Sequence, residues 1–252
     1  MILFDIITIF PEQVENFIEH GIFRIAKSKE KTRIKVHNLR DWSEGVHKSV
    51  DDRPFGGGPG MILKVDVIDK AVSAIKNGYP EDIVFVTMFT PQGELLNQKL
   101  LRAITELSSD KPSDYSGQSN KSSNTVKTIQ ERIENEKSAD RKNIRFLLLC
   151  GHYEGFDERV NNFVDIKLSV GEYVLSGGEL PALLFIDGLV RLIPGVLGNE
   201  RSAELETYEG DYTDYPQYTR PADYKGMKVP DILLNGDHKR IEEWRKSKMK
   251  PI

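Results

Sequence analysis

Gly151, Gly155, Gly171, Gly177 and Gly178 punctuate the stretch CGHYEGFDERVNNFVDIKLSVGEYVLSGGELPALLFIDGLVRLIPGVL, residues 150–197. Glycine lets a ligand approach the main chain where a Cβ would block it. Loops of this kind mark a ligand site outside the carboxyl ends of strands. Glu154, in YEGFDER, reads by itself as an acid at a helix N-terminus. Arg191 interrupts the apolar run ALLFIDGLVRLIPGVL, where a buried guanidinium needs a partner and a reason. Asp187, one helical turn earlier, would supply an intrahelical ion pair.

A second constellation is the loop DWSEGVHKSVDDRPFGGGPGM, with Asp51, Asp52 and Arg53 ahead of Gly56, Gly57, Gly58 and Gly60. No Lys-Ser or Lys-Thr pair follows these glycines, which argues against a nucleoside-triphosphate loop. Two readings stand: a glycine-rich turn with a solvated acidic pair, or a clamp over a polar substrate in which Arg53 and the carboxylates meet bases or phosphates. Thr90, Pro91, Gln92 and Gly93 form a turn at the end of a strand. Asp214, in TDYPQYTRP, sits among turn formers and could cap the helix that follows. His238, Lys239, Arg240, Arg245, Lys246 and Lys248 give the last helix a basic face beside Trp244, suited either to RNA phosphates or to water.

The elements that must position these groups are legible in outline. Apolar runs predict strands over Ile2–Ile9, Ile34–Leu39, Ile83–Thr87 and Phe146–Cys150, with one more inside 150–197. Helical spacing predicts two short helices within Gln13–Ala26 and longer ones over Val65–Lys76, Asn97–Leu107 and Leu180–Ile193. Alternating strands and helices predict an α/β domain with a mostly parallel sheet, whose ligands sit outside the carboxyl ends of the strands. Residues 108–143 turn to serine, lysine, asparagine and acids, too polar to offset their ordering entropy. They read as a largely disordered insertion, with a short helix over Val126–Lys137 as the exception.

The bulk properties exclude more than they assign. The chain has 252 residues, a net charge of −4 and one cysteine, Cys150. That charge argues against indiscriminate coating of nucleic acid, and a single cysteine excludes an internal disulfide. No apolar run reaches membrane-span length and MILFDIITIF lacks the flanks of a signal peptide, so a cytoplasmic protein is expected.

Taken together, DDRPFGGGPGM, TPQG, LLLCGHYEGFDERV, SVGEYVLSGGELPALLFIDGLVRLIPGVLG, YTRP and LLNGDHKRIEEWRK resemble, in order, the bacterial tRNA (guanine-N1)-methyltransferase family, which modifies guanosine 37. The resemblance implies a trefoil-knotted methyltransferase domain of the SPOUT class over 1–197, a linker over 198–213 and a small all-α tRNA-binding domain over 214–252. It implies a homodimer with shared active sites that engages the tRNA anticodon stem-loop. S-adenosylmethionine would be held by Thr90, Pro91, Gln92, Gly93, Gly151, Glu154, Val170, Gly171, Glu172, Tyr173, Val174, Leu175, Gly177 and Gly178. Asp214 would be the base that takes the N1 proton and Arg191 the cation over O6. Asp52, Arg53, Gly57, Lys239, Arg240 and Arg245 would meet the RNA. Magnesium dependence is suspected for the family, yet the sequence contains no recognisable cage for it.

Two features depart from the family pattern: the length of the 108–143 segment, and His152, where other members often carry arginine. The competing functions are a non-catalytic knotted RNA-binding protein, which would be expected to have lost Asp214, Arg191 or the glycines, and a knotted methyltransferase for ribosomal RNA or a ribose hydroxyl. YTRP and the last block speak against the latter. Which tRNAs are modified is not legible.

Overall fold

All seven residues of β1 (Ile2–Thr8) are buried, as a strand covered on both faces requires. It pairs in parallel with β2 (Thr32–Asn38) on one side and β6 (Ile144–Leu149) on the other. Beyond β6 lie β5 (Ile83–Leu95) and β7 (Ile166–Ser169), giving a five-stranded parallel sheet in the order β2-β1-β6-β5-β7. The computed structural model describes residues 1–108, 123–136, 143–198, 207–208 and 212–251.

The two-residue period of the strands sorts the core into two layers. On one face Phe4, Phe85 and Phe146 stack in a row, with ring centroids 6.0 and 5.8 Å apart, and Phe185 meets Phe146 edge-on at 5.3 Å. This layer is closed by α1 (Pro11–Ile18), α2 (Gly21–Ser28), α4 (Gln98–Leu107) and α6 (Glu179–Leu192). On the other face Ile7, Val84, Val86, Leu147 and Leu149 pack against Val67, Ile68 and Ala71 of α3 (Val65–Gly78). Two short helices do replace one in the 13–26 segment, broken at Gly21, whose φ is +57°.

One strand differs from expectation: the third does not end at Thr87, and β5 runs on to Leu95. Within 150–197 the one further strand is β7, and the apolar run ALLFIDGLVRL is α6, close to the helix expected over Leu180–Ile193. The segment read as a largely disordered insertion contains the helix α5 (Asn124–Glu136), close to the one expected over Val126–Lys137, with Thr125 buried and Val126 and Ile129 in the core. Its few apolar residues fall on one face, and polar side chains tie it down. The Glu94 carboxylate accepts from Thr125 N at 3.0 Å, and Arg132 pairs with Asp165. The rest of the 108–143 segment, 109–122 and 137–142, lies outside the described residues.

A charged cluster is buried within the sheet. Arg145, at the start of β6, donates to Asp82 through Nε at 2.8 Å and pairs with Asp5, a residue of zero exposure in β1. The guanidinium lies 3.4 Å from the Tyr79 ring centroid, and His37 Nε2 sits 2.5 Å from the other Asp5 oxygen. Burial by itself would lower the pKa of Arg145, but hydrogen bonds and charge from Asp5 and Asp82 outweigh it and raise it.

The chain divides into two compact units, Met1–Gly198 and Asn199–Ile252. Most of the segment expected to be a linker, 199–206 and 209–211, lies outside the described residues. The second unit, expected to be all helical, also contains a small hairpin of β8 (Asp223–Tyr224) and β9 (Met227–Lys228). Lys225 and Gly226 both have positive φ, 52° and 85°, as a two-residue hairpin turn demands. Its α-helix, α7 (His238–Lys248), is capped by the Asp237 carboxylate, which accepts from Arg240 N at 3.2 Å.

Candidate active site

Leu168 of β7 pairs with both Phe89 and Glu94 of β5, so the intervening residues Thr90–Gly93 are extruded from the ladder. Gly93 is where the chain returns, and a Cβ there would stand 2.5 Å from the Leu168 backbone nitrogen. Next to this bulge the chain leaves β6 at Cys150 and meets the turn before α6. Gly178 N donates to Gly151 O at 2.8 Å, and a Cβ on Gly178 would lie 2.7 Å from Cys150 Cα. These two close approaches bring three loops to the carboxyl ends of the parallel strands.

The loops enclose a cavity of about 410 Å³, in the ordinary range for a small-molecule site. Of the residues expected to hold the methyl donor, Thr90, Pro91, Gln92, Gly151, Glu154, Val170, Gly171, Tyr173, Val174, Leu175, Gly177 and Gly178 line it. Gly93 and Glu172 are not among the lining residues; Gly93 instead allows the crossing beneath. Phe156, Leu168 and Pro181 supply apolar wall, while Glu154, Asp157 and Glu158 supply negative charge. Arg159, hydrogen-bonded to Asp157, holds that carboxyl down at about 2, so it is an anion over the working pH range.

The glycine-rich loop is stitched to this cavity. β3 (Asp51–Asp52) pairs with β4 (Ile62–Leu63), and Glu154 N and Leu63 N donate across to Met61 O and Gly155 O at 3.0 and 2.9 Å. Gly60 lies directly against the Glu154 side chain. At the loop's tip Phe55 is wholly exposed, close in sequence to Asp52, Arg53 and Gly57.

Some groups at the site have no signal in the residues alone. Thr8 Oγ1 donates at 2.6 Å to the buried Glu179 carboxylate, 171 positions away, tying β1 to the first turn of α6. Cys150 is fully enclosed, and burial pushes its thiol well above the usual range. His152 meets Phe10 and Tyr153 edge-on, at 4.9 and 4.7 Å, with its Nδ1 enclosed and unbonded among the described residues. Arg145 did carry a signal, a charge inside NIRFLLLC, of the same kind that marked Arg191.

Arg191, one of the expected catalytic pair, is not among the residues that line this cavity. Arg191 lies in the last turn of α6, whereas Pro181 in its first turn borders the cavity, ten residues or roughly 15 Å along the axis. Burial raises the carboxyl of Asp187, and the Arg191 charge partly offsets that. Asp214 belongs to the second unit, where its carboxylate accepts from Tyr215 N at 2.7 Å and Gln217 Nε2 at 3.0 Å. Lys239, Arg240 and Arg245 lie on α7 of that unit. Among the described residues no group of three or more His, Cys, Asp or Glu could hold a metal ion, and no helix is long and apolar enough to cross a membrane.

Comparison with known proteins bears on both units. The family model for tRNA (Guanine-1)-methyltransferase TrmD matches residues 2–111 and 121–251. A tRNA (guanine-N(1)-)-methyltransferase of Dictyoglomus turgidum is 41% identical over 246 residues, covering 98% of this chain and 84% of that protein. Its counterpart in Listeria monocytogenes is 38% identical over 242 residues, covering 96% and 84%. The crystal structure of tRNA (m1G37) methyltransferase from Aquifex aeolicus aligns with a TM-score of 0.68 at 35% identity, over 96% of this chain and 87% of that one.

Proposed function

The chain belongs to the tRNA (guanine-N1)-methyltransferase family, and from that premise we propose that it transfers a methyl group from S-adenosylmethionine to N1 of guanosine 37 in tRNA. The observation that carries this reading is the three-loop cavity at the sheet's carboxyl edge, lined by the backbone of glycine-rich turns and by acids. The donor is a neutral heterocycle joined to a cationic sulfonium and ammonium end. Its purine fits main-chain donors and apolar walls, and its cations fit Glu154 and Asp157. When bound, it supplies an electrophilic methyl group.

The protein's share of the work is the proton and the charge it leaves behind. Guanine N1 has a pKa of roughly 9 against about 3.9 for a free aspartate, so unassisted transfer is uphill by about 7 kcal/mol. A cation at O6 reduces that gap by meeting the negative charge that develops there. Arg191 is proposed for that role and Asp214 for the base. The Asp214 carboxylate accepts from Tyr215 N and Gln217 Nε2, one bond to each oxygen, which leaves a lone pair on each for the proton.

Shared active sites account for the distance between Arg191, in the last turn of α6, and the donor cavity at its first turn. They are supported by an uncovered stripe on α6, where Leu180 is 61% and Leu184 47% exposed, in line with Asp187 and Arg191 at helical spacing. A homodimer that covers this stripe would carry Arg191 toward a partner's cavity. Light scattering at micromolar concentration is expected to give twice the chain mass of 28.7 kDa, and a monomer would remove the shared-site reading.

The reaction is tested with labelled S-adenosylmethionine and a tRNA transcript bearing guanosine at 36 and 37, the product base being identified by mass spectrometry. A methyl group on ribose, or on another guanine atom, overturns the assignment. Asp214→Asn is expected to keep donor affinity while methyl transfer falls by ~100-fold or more, as for loss of a general base. Near-normal turnover would leave Asp214 as a turn anchor and remove it from the base role.

A further inference from the structure

The described residues 212–251 hold nine Lys and Arg against six Asp and Glu, in a chain whose net charge is −4. This part is therefore basic in an otherwise acidic protein. It is also too small to enclose its aromatic side chains: α7 buries no residue, and Tyr218 is 49% exposed. Between α7, the 215–222 segment and Leu233–Leu234 a cavity of about 330 Å³ is left open.

Its walls are planar. Tyr218 and Trp244 stand 6.4 Å apart, tilted by 53°, and the Arg245 guanidinium lies over the Tyr215 ring at 4.9 Å. Polar groups complete the lining. Gln217, whose Nε2 donates to Asp214 at 3.0 Å, and Thr219 bring an amide and a hydroxyl to it. A phosphate alone would not call for three aromatic rings, and an apolar peptide would not call for the basic surroundings. Aromatic and guanidinium planes beside amide and hydroxyl groups are the means by which proteins stack and read a base splayed out of an RNA loop.

We propose that this cavity is a pocket for one unstacked nucleobase of the RNA substrate, with Tyr218 as the principal stacking face. The proposal rests on the RNA-methylating function and adds a second contact, distinct from the methylated guanine. The pocket selects among RNA loops by presenting a place for one additional base, while the lysines of α7 meet the neighbouring backbone.

The test uses the full chain and an unmodified anticodon stem-loop transcript. Affinity is measured for wild type, Tyr218→Ala and Tyr218→Phe, then for a transcript series in which each loop nucleotide in turn is made abasic. Tyr218→Ala is expected to weaken binding about 10- to 100-fold and Tyr218→Phe to stay near wild type, the scale of one base–aromatic stack. One abasic position should produce the same loss, and combining it with Tyr218→Ala should cost nothing more. Losses that add at every position, or Tyr218→Ala binding within about twofold of wild type, overturn the pocket. Should Tyr218→Ala fail to fold, the abasic series on wild type decides, because no position costing more than about twofold overturns it as well. Methyl transfer by wild type separates the two levels. With transfer intact and no coupling, only the pocket falls; with neither binding nor transfer, the parent function falls too.

Discussion

Arg145→Ala is expected to lower the free energy of unfolding by about 3–5 kcal/mol, the cost of leaving a buried charge without its partner. Asp5 has no exposure, and its carboxylate faces the Arg145 guanidinium and the His37 ring. Removing the guanidinium also takes the charged partner from Asp82, which keeps the Asn143 amide at 2.9 Å, and empties the space over the Tyr79 ring. Denaturant unfolding followed by circular dichroism measures the change, and a loss below about 1 kcal/mol would reject the buried-pair account. Adding Asp5→Val to the same chain should return part of the stability, because the uncompensated charge leaves with it. That partial recovery separates an electrostatic loss from a simple cavity, for which a second truncation would only add to the damage.

Gly178→Val is expected to reduce methyl transfer by ~100-fold or more while costing about 1–3 kcal/mol of stability, the range for overpacking a well-filled site. The new Cβ would stand 2.7 Å from Cys150 Cα and 2.8 Å from Gly151 N. Neither is the far end of a flexible side chain, so the main chain itself must move. The hydrogen bond from Gly178 N to Gly151 O is the join between two walls of the donor cavity, and separating them displaces the backbone donors on both sides. Calorimetry with S-adenosylmethionine should show the same loss without any RNA present. Gly78→Ala is the control: nothing lies within 4 Å of its added Cβ, and transfer should be unchanged. Full donor affinity in Gly178→Val would show that the close approach is not needed for the site.

The strands and helices were largely readable because burial imposes a period. ILFDIIT and IRFLLL are apolar runs with one charge each, and both charges belong to the same buried cluster. The α5 helix was legible only as an exception within a segment read as largely disordered. Its overall polarity pointed to disorder, while Val126 and Ile129, spaced to one face and covered by the core, were enough to seat it. Composition averages over a segment, whereas packing depends on which few residues face inward.

The site divides along the same line. Types and spacing determined the glycine loops, the position of the cavity at the carboxyl ends of parallel strands, the absence of a triphosphate loop and, through six ordered blocks, the family. Only the tertiary structure decided that Thr90–Gly93 are pushed out of a continuous strand, that Thr8 reaches Glu179, and that Gly178 lies against Cys150. The physical reason is distance along the chain. Local patterns report the interactions of a residue with its own helix or strand, whose geometry repeats every few residues. A contact between positions 8 and 179, or a backbone approach too tight for a methyl group, depends on how whole elements are threaded past one another, and no local period encodes that.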